Sequence, residues 1–430
     1  HRRICKASIY QTEKWRVPMI LTTVKGQKDL PRYFTRVFQM AQGMNNGRLD
    51  FILPDGRRFR AEGPNLGPVS EVRINNKDLF TRLIREGDLG FCDAYLDEWW
   101  TTPDLQAFMD WAHADNDNLY DGFPGMGLLR AFEKFRFWMK RNNRDQARKN
   151  ISYHYDLGNN FYSLWLDKTM TYSSALFETG QESHETAQIA KYASLIDQMG
   201  VQPGEHILEI GCGWGGFAEY AAKERGLKVT GLTISEEQFN YAVERIDKEG
   251  LSDLVNFKLQ DYREINGDFD AIVSIEMLEA VGDKFLYEYF KKCNDLLTAQ
   301  GVLALQIITV PDCRYEALKQ GTDFIQRHIF PGSLLLSLSR IAQVLKKNSE
   351  LSLFEIHDMG FDYAKTLACW YDNFNRRLPE VKQLGFDEVF IRKWNYYLKY
   401  CEAAFATKNI SVVQVIYTKP NNEKLTPYRA

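Results

Sequence analysis

The stretch His206-Ile-Leu-Glu-Ile-Gly-Cys-Gly-Trp-Gly-Gly-Phe217 joins an apolar run to a glycine-rich turn that opens a helix. Glycines in such a turn let a ligand approach backbone atoms that a side chain would shield, and Gly211 and Gly213 are the close-approach positions. A nicotinamide-binding turn would want an acid about 20 residues on, at the end of the next strand, to hold the ribose hydroxyls. That strand ends Gly231-Leu232-Thr233 instead. The missing acid, the G-x-G-x-G-G spacing and Glu209 just before the turn favour a site for S-adenosylmethionine over one for a dinucleotide. Asp261, past the third strand, stands where such folds accept a hydrogen bond from the adenine amino group; the plainer reading is a solvated loop aspartate.

The elements that must position these residues alternate strand and helix after Asn150, which predicts a mainly parallel sheet covered on both faces. An amphipathic helix carrying Ile189, Tyr192, Ile196 and Met199 stops at Gly200, and Pro203-Gly204 turns the chain into a strand over 206–210. Further strands are expected over 228–233, 255–259, 270–275, 302–309 and 410–417. Together they predict a doubly wound, Rossmann-like α/β sheet of the class I methyltransferase kind. The segment 312–376 is too long for a crossover loop and reads as an inserted cap. Residues 1–125 read as a smaller α+β accessory domain. It holds a hairpin over 49–60, turned at Asp55-Gly56, and a helical region over 76–113 that ends in Trp99, Trp100, Phe108 and Trp111. This region is either ordinary helical packing or a lipid-docking module. Residues 126–150 form a basic aromatic linker, and 151–430 the catalytic domain.

At 430 residues, 44% apolar and 26% charged, the chain has the profile of a globular protein of more than one domain. Its net charge of −3 argues against a nucleic-acid coat. Seven scattered cysteines without C-x-x-C or metal-ligand spacing fit a reducing cytoplasm and no metal site. No run reaches the roughly 18 apolar residues of a membrane span, so membrane contact is expected to be peripheral. The linker is where it would occur. Arg130, Lys134, Arg136, Lys140, Arg141, Arg144, Arg148 and Lys149 interleave there with Phe132, Phe135, Phe137 and Trp138. Such a run is either a solvated face or an attraction to anionic headgroups, with nucleic acid as the rival partner.

The chain resembles the cyclopropane fatty acid synthases and their mycolic acid methyltransferase relatives. The motifs are Tyr153-His-Tyr-Asp-Leu-Gly-Asn159, Met170-Thr-Tyr-Ser-Ser174, Leu208-Glu-Ile-Gly-Cys-Gly-Trp-Gly215, Gly231-Leu-Thr-Ile-Ser235 with Gln238, and Ser274-Ile-Glu-Met-Leu-Glu-Ala-Val-Gly282. Ile329-Phe-Pro-Gly332, Asp362-Tyr-Ala-Lys-Thr-Leu367, Gly87-Asp-Leu-Gly90 and Asp97-Glu-Trp-Trp100 extend the match over most of the chain. The resemblance implies that Tyr172, Ser173, Gly211, Gly213, Thr233, Gln238, Asp261 and Tyr262 hold the cofactor, with Glu209 beside the turn. It also implies a bicarbonate held as general base by Glu279, Gln306, Tyr363 and backbone groups of Ser174 and Ile308.

Ser174 stands where the family often has Cys, and Gln306 where it often has His. Serine suffices if only its backbone is used; glutamine donates and accepts but carries no charge. Plainer roles remain for each residue: Glu279 as a helix cap, Gln306 as a core amide, Tyr363 as packing. Tyr155, Trp370, Tyr371 and Phe374 either face a cation or fill the core.

The activity implied is methylene transfer to the cis double bond of an unsaturated phospholipid acyl chain, giving a cyclopropane. A fatty-acyl C-methyltransferase leaving a methyl or methylene branch is the alternative, and a non-catalytic lipid-binding protein the alternative of another class. The expected partner is an unsaturated phospholipid in an anionic membrane, reached from the cytoplasm at the inner face, with no nucleic acid; a homodimer is compatible.

Overall fold

The computed structural model describes residues 19–114 and 157–425. The basic stretch 130–149 and Tyr155 lie outside the described residues.

The N-terminal domain contains strands β1 (Ile20–Leu21), β2 (Asn46–Ile52), β3 (Arg58–Glu62), β4 (Asn65–Ile74) and β5 (Trp100–Thr101), in sheet order β1-β3-β2-β4-β5. Its helices are α1 (Phe34–Ala41), α2 (Leu79–Leu96) and α3 (Leu105–Ala114). The expected hairpin is β2–β3, antiparallel with Ile52 opposite Arg58, and Gly56 supplies the left-handed turn residue at φ 86°. Alternation sends Leu49, Phe51, Phe59 and Ala61 inward. They meet α1, where the Phe34 ring sits edge-on to Phe59 at 4.9 Å. Trp100, Phe108 and Trp111 are buried, and Trp99 lies 4.9 Å under the Arg82 guanidinium. These rings pack the interior of this region.

After a helical turn at Asn159–Tyr162 come α4 (His184–Met199), β6 (His206–Ile210), α5 (Gly216–Arg225), β7 (Lys228–Thr233), α6 (Glu236–Glu249), β8 (Val255–Leu259), β9 (Phe269–Ile275), α7 (Leu286–Leu296) and β10 (Leu297–Thr309). The α4 helix is capped by the Ser183 hydroxyl and ends at Gly200 in the left-handed region. The chain continues through α8 (Asp312–Gln320), α9 (Phe324–His328), α10 (Leu338–Asn348), β11 (Ser352–Asp358), α11 (Gly360–Arg376), α12 (Leu378–Gln383), α13 (Glu388–Ala406) and β12 (Ser411–Thr418). The sheet order is β11-β12-β10-β9-β6-β7-β8. β6 to β10 run parallel, and β12 is antiparallel to both its neighbours. Strand order reverses between β6 and β9, and doubly wound sheets bind ligands beyond the carboxyl ends of the strands at such a switch.

The segment 312–376 expected as one cap is divided. Strand β11 pairs with β12 as an exposed edge of the main sheet, and α10 packs on α7 against the sheet face through Ile341, Val344 and Leu345. The helices that roof the site are α11 and α13, which pack on each other, so the covering layer runs on to Ala406. The N-terminal domain is seated on that layer. Tyr396 on α13 meets the Cys92 thiol at 3.0 Å, and Asp93 receives His328 Nε2 at 2.7 Å and Arg327 at 3.0 Å.

Candidate active site

A cavity of about 1240 Å³, counting the space open to solvent, lies at the switch between β6 and β9. Tyr172, Ser173, Glu209, Gly211, Gly213, Thr233, Gln238, Asp261 and Tyr262 all line it. The glycine turn is fastened to the neighbouring strand, since the Gly211 and Cys212 amides both donate to Leu232 O, at 3.0 and 2.8 Å. Gly211 has φ 86°, and a Cβ there would come within 2.9 Å of Met277. Gly213, at φ 53°, faces open space within the cavity lining. Arg245 ties two walls together by donating to Thr169 O at 2.8 Å and Trp214 O at 3.0 Å. Thr233 donates to Gln238 Oε1 at 2.9 Å, holding the start of α6 against the end of β7. Asp261 is buried rather than solvated, gripped by Arg263 through contacts of 2.8 and 2.6 Å.

One wall atom lacks a protein partner. Glu209 Oε2 is buried without a hydrogen bond, and burial lifts its carboxyl well above the ordinary range although Lys191 pulls it down. Such an orphan is expected where a polar ligand completes the shell. Lys191 is itself fully buried and donates to Ser173 Oγ at 2.7 Å. Burial lowers its ammonium to about 8, against the attraction of Glu276, Asp167 and Glu209.

At the far end of the cavity the expected base-holding groups converge on a residue that sequence reasoning passed over. The Ser174 amide donates to Glu276 Oε1 at 2.8 Å, Gln306 Nε2 donates to the same oxygen at 2.8 Å, and Tyr363 OH donates to Glu276 Oε2 at 2.7 Å. The remaining two groups hold each other, with the Ile308 amide donating to Glu279 Oε1 at 2.5 Å. Bicarbonate therefore does not fit these residues as expected, because Glu276 occupies three of its five ligands.

Gln306 is fully buried on β10 opposite Gln414, whose Nε2 donates to Gln306 Oε1 at 3.2 Å and so turns the Gln306 NH₂ toward Glu276. Tyr363, on the first turn of α11, is stacked on Phe405 with ring centres 4.3 Å apart. Glu279 sits in a short 3₁₀ turn and makes no cap; its Oε2 is buried without a partner. The Ser174 hydroxyl points away, donating to Ala175 O at 2.9 Å. Trp370 stands edge-on to Tyr363 at 6.0 Å, close to the site. Tyr371 instead takes the Lys399 ammonium over its ring at 4.1 Å, and Phe374 packs against Phe161 in the core.

The two carboxyls behave differently. Burial raises Glu276, while Tyr363, Gln306, the Ser174 amide and Lys191 pull it back. Burial and the neighbouring Glu276 charge push Glu279 up to about 8, with only backbone hydrogen bonds opposing. Glu279 therefore favours its protonated form near neutral pH, while the three donors around Glu276 favour its charged form.

Residues 142–415 match the model of the family described as mycolic acid cyclopropane synthetase. The chain belongs to that family. It is similar to a tuberculostearic acid methyltransferase of Mycobacterium tuberculosis, 36% identical over 85% of this chain and 86% of the relative. It is also similar to the cyclopropane-fatty-acyl-phospholipid synthase of Escherichia coli K12, 34% identical over 81% of this chain and 88% of the relative. Among solved structures, a mycolic acid cyclopropane synthase complexed with SAH and CTAB superposes with a TM-score of 0.59, at 29% identity, over 63% of this chain and 98% of that one. The chain is an S-adenosylmethionine-dependent C-methyltransferase, with a cyclopropane fatty acid synthase or fatty acid methyltransferase activity. The cavity suits that cofactor, with an unsatisfied carboxyl at Glu209 and an open glycine at 213. Among the described residues no helix is long and apolar enough to cross a membrane.

Proposed function

We propose that the protein adds a methylene to the cis double bond of an unsaturated phospholipid acyl chain, at an anionic membrane surface, to give a cyclopropane. The observation that carries this reading is the donor-held carboxylate of Glu276 at the end of the cofactor cavity, with the Tyr363 and Trp370 rings beside it.

Bound in the cavity, S-adenosylmethionine supplies an electrophilic methyl group. An alkene is a weak nucleophile; when its π pair takes up a methyl, positive charge appears on the other alkene carbon. The aromatic faces of the site stabilise that charge. Ring closure then needs a base to take a proton from the new methyl, so that the C–H pair forms the third ring bond. A carboxylate at the cavity wall supplies proton acceptance here, and bicarbonate, three of whose five expected ligands are engaged by Glu276, has no step in this reading.

A second reading is favoured by the relative named as a tuberculostearic acid methyltransferase: loss of a proton without ring closure would leave a methylene branch. A lipid-binding protein without turnover would have no use for a base at the end of a cofactor cavity.

The test is mass spectrometry of acyl chains after incubating the protein with S-adenosylmethionine and unsaturated phosphatidylglycerol vesicles, followed by ozonolysis. Chains heavier by about 14 mass units, the mass of the CH₂ that the chemistry adds, and resistant to ozone are the expected product. Heavier chains that ozone cleaves would favour the branch, and no mass gain on any unsaturated lipid would sink both readings.

A further inference from the structure

Glu276 is drawn into the site by more than its neighbours' reach. It is a non-glycine residue at φ 49°, in the left-handed region, immediately after β9, and its amide donates to Gln306 O at 2.7 Å. A bulky residue held there is uncommon, and such strain persists where the surroundings over-determine it. Here three donors from three separate elements fix the carboxylate: the loop at Ser174, strand β10 at Gln306 and helix α11 at Tyr363. The residue is only half-buried, and it lines the cofactor cavity together with Gly211 and Met277.

A carboxylate offers about four lone-pair directions. Oε1 accepts two hydrogen bonds and Oε2 one, so Oε2 keeps a free lone pair. A second planar anion would have to displace Glu276 from these donors and then sit against its negative charge, with Glu279 close behind.

We propose that the Glu276 carboxylate is itself the general base, standing where bicarbonate was expected, so that this enzyme turns over without bicarbonate. The proposal rests on the acyl-chain methylation reading above. Oε2 takes the proton from the new methyl, the C–H pair closes the ring, and S-adenosylhomocysteine leaves neutral. The proton then passes from the Glu276 carboxyl to solvent before the next turnover. That Glu279 titrates higher than an ordinary carboxyl, through burial and the Glu276 charge, agrees with Glu276 carrying the charge of the pair.

The test compares wild type, Glu276→Gln and Glu276→Gly in buffer purged of carbon dioxide and in the same buffer with added bicarbonate. Cofactor affinity by calorimetry serves as the check on folding, and ¹³C-bicarbonate NMR as a readout apart from turnover. Wild type should be indifferent to bicarbonate, within about twofold, and should not bind it. Glu276→Gln should lose turnover by roughly 10²–10⁴-fold, the usual contribution of a general base, while still binding cofactor. Glu276→Gly, which suits the left-handed backbone and opens the donor set, should bind bicarbonate and regain part of its activity when it is added. Wild-type turnover that fails without bicarbonate, bicarbonate binding to wild type as tight as to Glu276→Gly, or an unimpaired Glu276→Gln each overturns the proposal. If no protein turns over any lipid, the methylation reading has failed instead, and the NMR comparison still decides whether Glu276 holds the bicarbonate place.

Discussion

The glycine-turn side of the cavity is organised around one turn and the strand ends beside it, whereas Glu276 on the cavity wall is held from behind by Ser174, Gln306 and Tyr363, drawn from distant parts of the chain. The first depends on local backbone shape: glycines in the left-handed region, and amides fastened to the next strand. The second depends on long-range register, because each donor reaches Glu276 only if sheet and roof are assembled correctly. Substitutions should separate the two halves cleanly, with cofactor affinity reporting on one and turnover on the other.

Apart from Glu276 itself, the largest effect is expected at Gly211. An alanine Cβ there meets Met277 within 2.9 Å on a backbone at φ 86°. Overpacking and left-handed strain together cost about 3 kcal/mol, so Gly211→Ala should weaken S-adenosylmethionine binding roughly 100-fold by calorimetry. Wild-type affinity in that variant would mean the turn is not as close-fitting as its geometry requires.

Tyr363→Phe should leave cofactor affinity alone and lower kcat by about 10–100-fold, the worth of a hydrogen bond to a charged group. Because the Tyr363 hydrogen bond pulls the Glu276 carboxyl down, its loss should also move the acid limb of the pH–rate profile upward. A fall in activity with an unmoved limb would place Tyr363 in packing alone.

Glu279 gives a pH effect on stability. Its carboxyl keeps a proton up to about pH 8 in the folded chain, through burial and the Glu276 charge, against an ordinary glutamate value of 4.5. Between these pH values the folded state binds the additional proton, so this group's contribution to stability falls as pH rises from 4.5 toward 8. Comparing melting curves of wild type and Glu279→Gln across this window should show wild type losing ground by on the order of a few degrees; parallel curves would contradict the assignment.

The smallest effect is expected at Ser174. Its amide serves the site while its hydroxyl turns to Ala175 O, so Ser174→Ala should change kcat less than about twofold. A larger loss would show that the hydroxyl, and not only the backbone, matters.

Much of this was legible in the sequence. The strands beginning at His206, Lys228 and Val255 fall on the expected residues, because short apolar runs between glycine, proline and acidic turns leave few alternatives. β9 and β12 differ by a residue, and β10 starts earlier, at Leu297. β11 was hidden because every one of its residues is exposed, so it lacks the one-sided alternation that marks a half-buried strand. The nine residues expected around the cofactor were readable from their motifs, and all nine line one cavity. Glu276 was in plain view inside one of those motifs, two carboxyls three residues apart after a strand, yet only the second was assigned a role. Nothing local says that residues 174, 306 and 363 will reach for the first. Lys191 and Gln414 were missed for the same reason: each looks like an ordinary polar residue until the fold buries it.

The pairing of Gln306 with Gln414 has a consequence in time. Residue 414 lies in β12, the last strand of the sheet, inserted between β10 and β11. A chain still emerging from the ribosome can form the cofactor turn once β6 and β7 are out, but the amide that orients Gln306 arrives near the end of synthesis. The residues that line the cavity, the last of them Phe285, are therefore all synthesised before the amide that orients Gln306, and a chain halted before Ser411 would carry the glycine turn without that orientation.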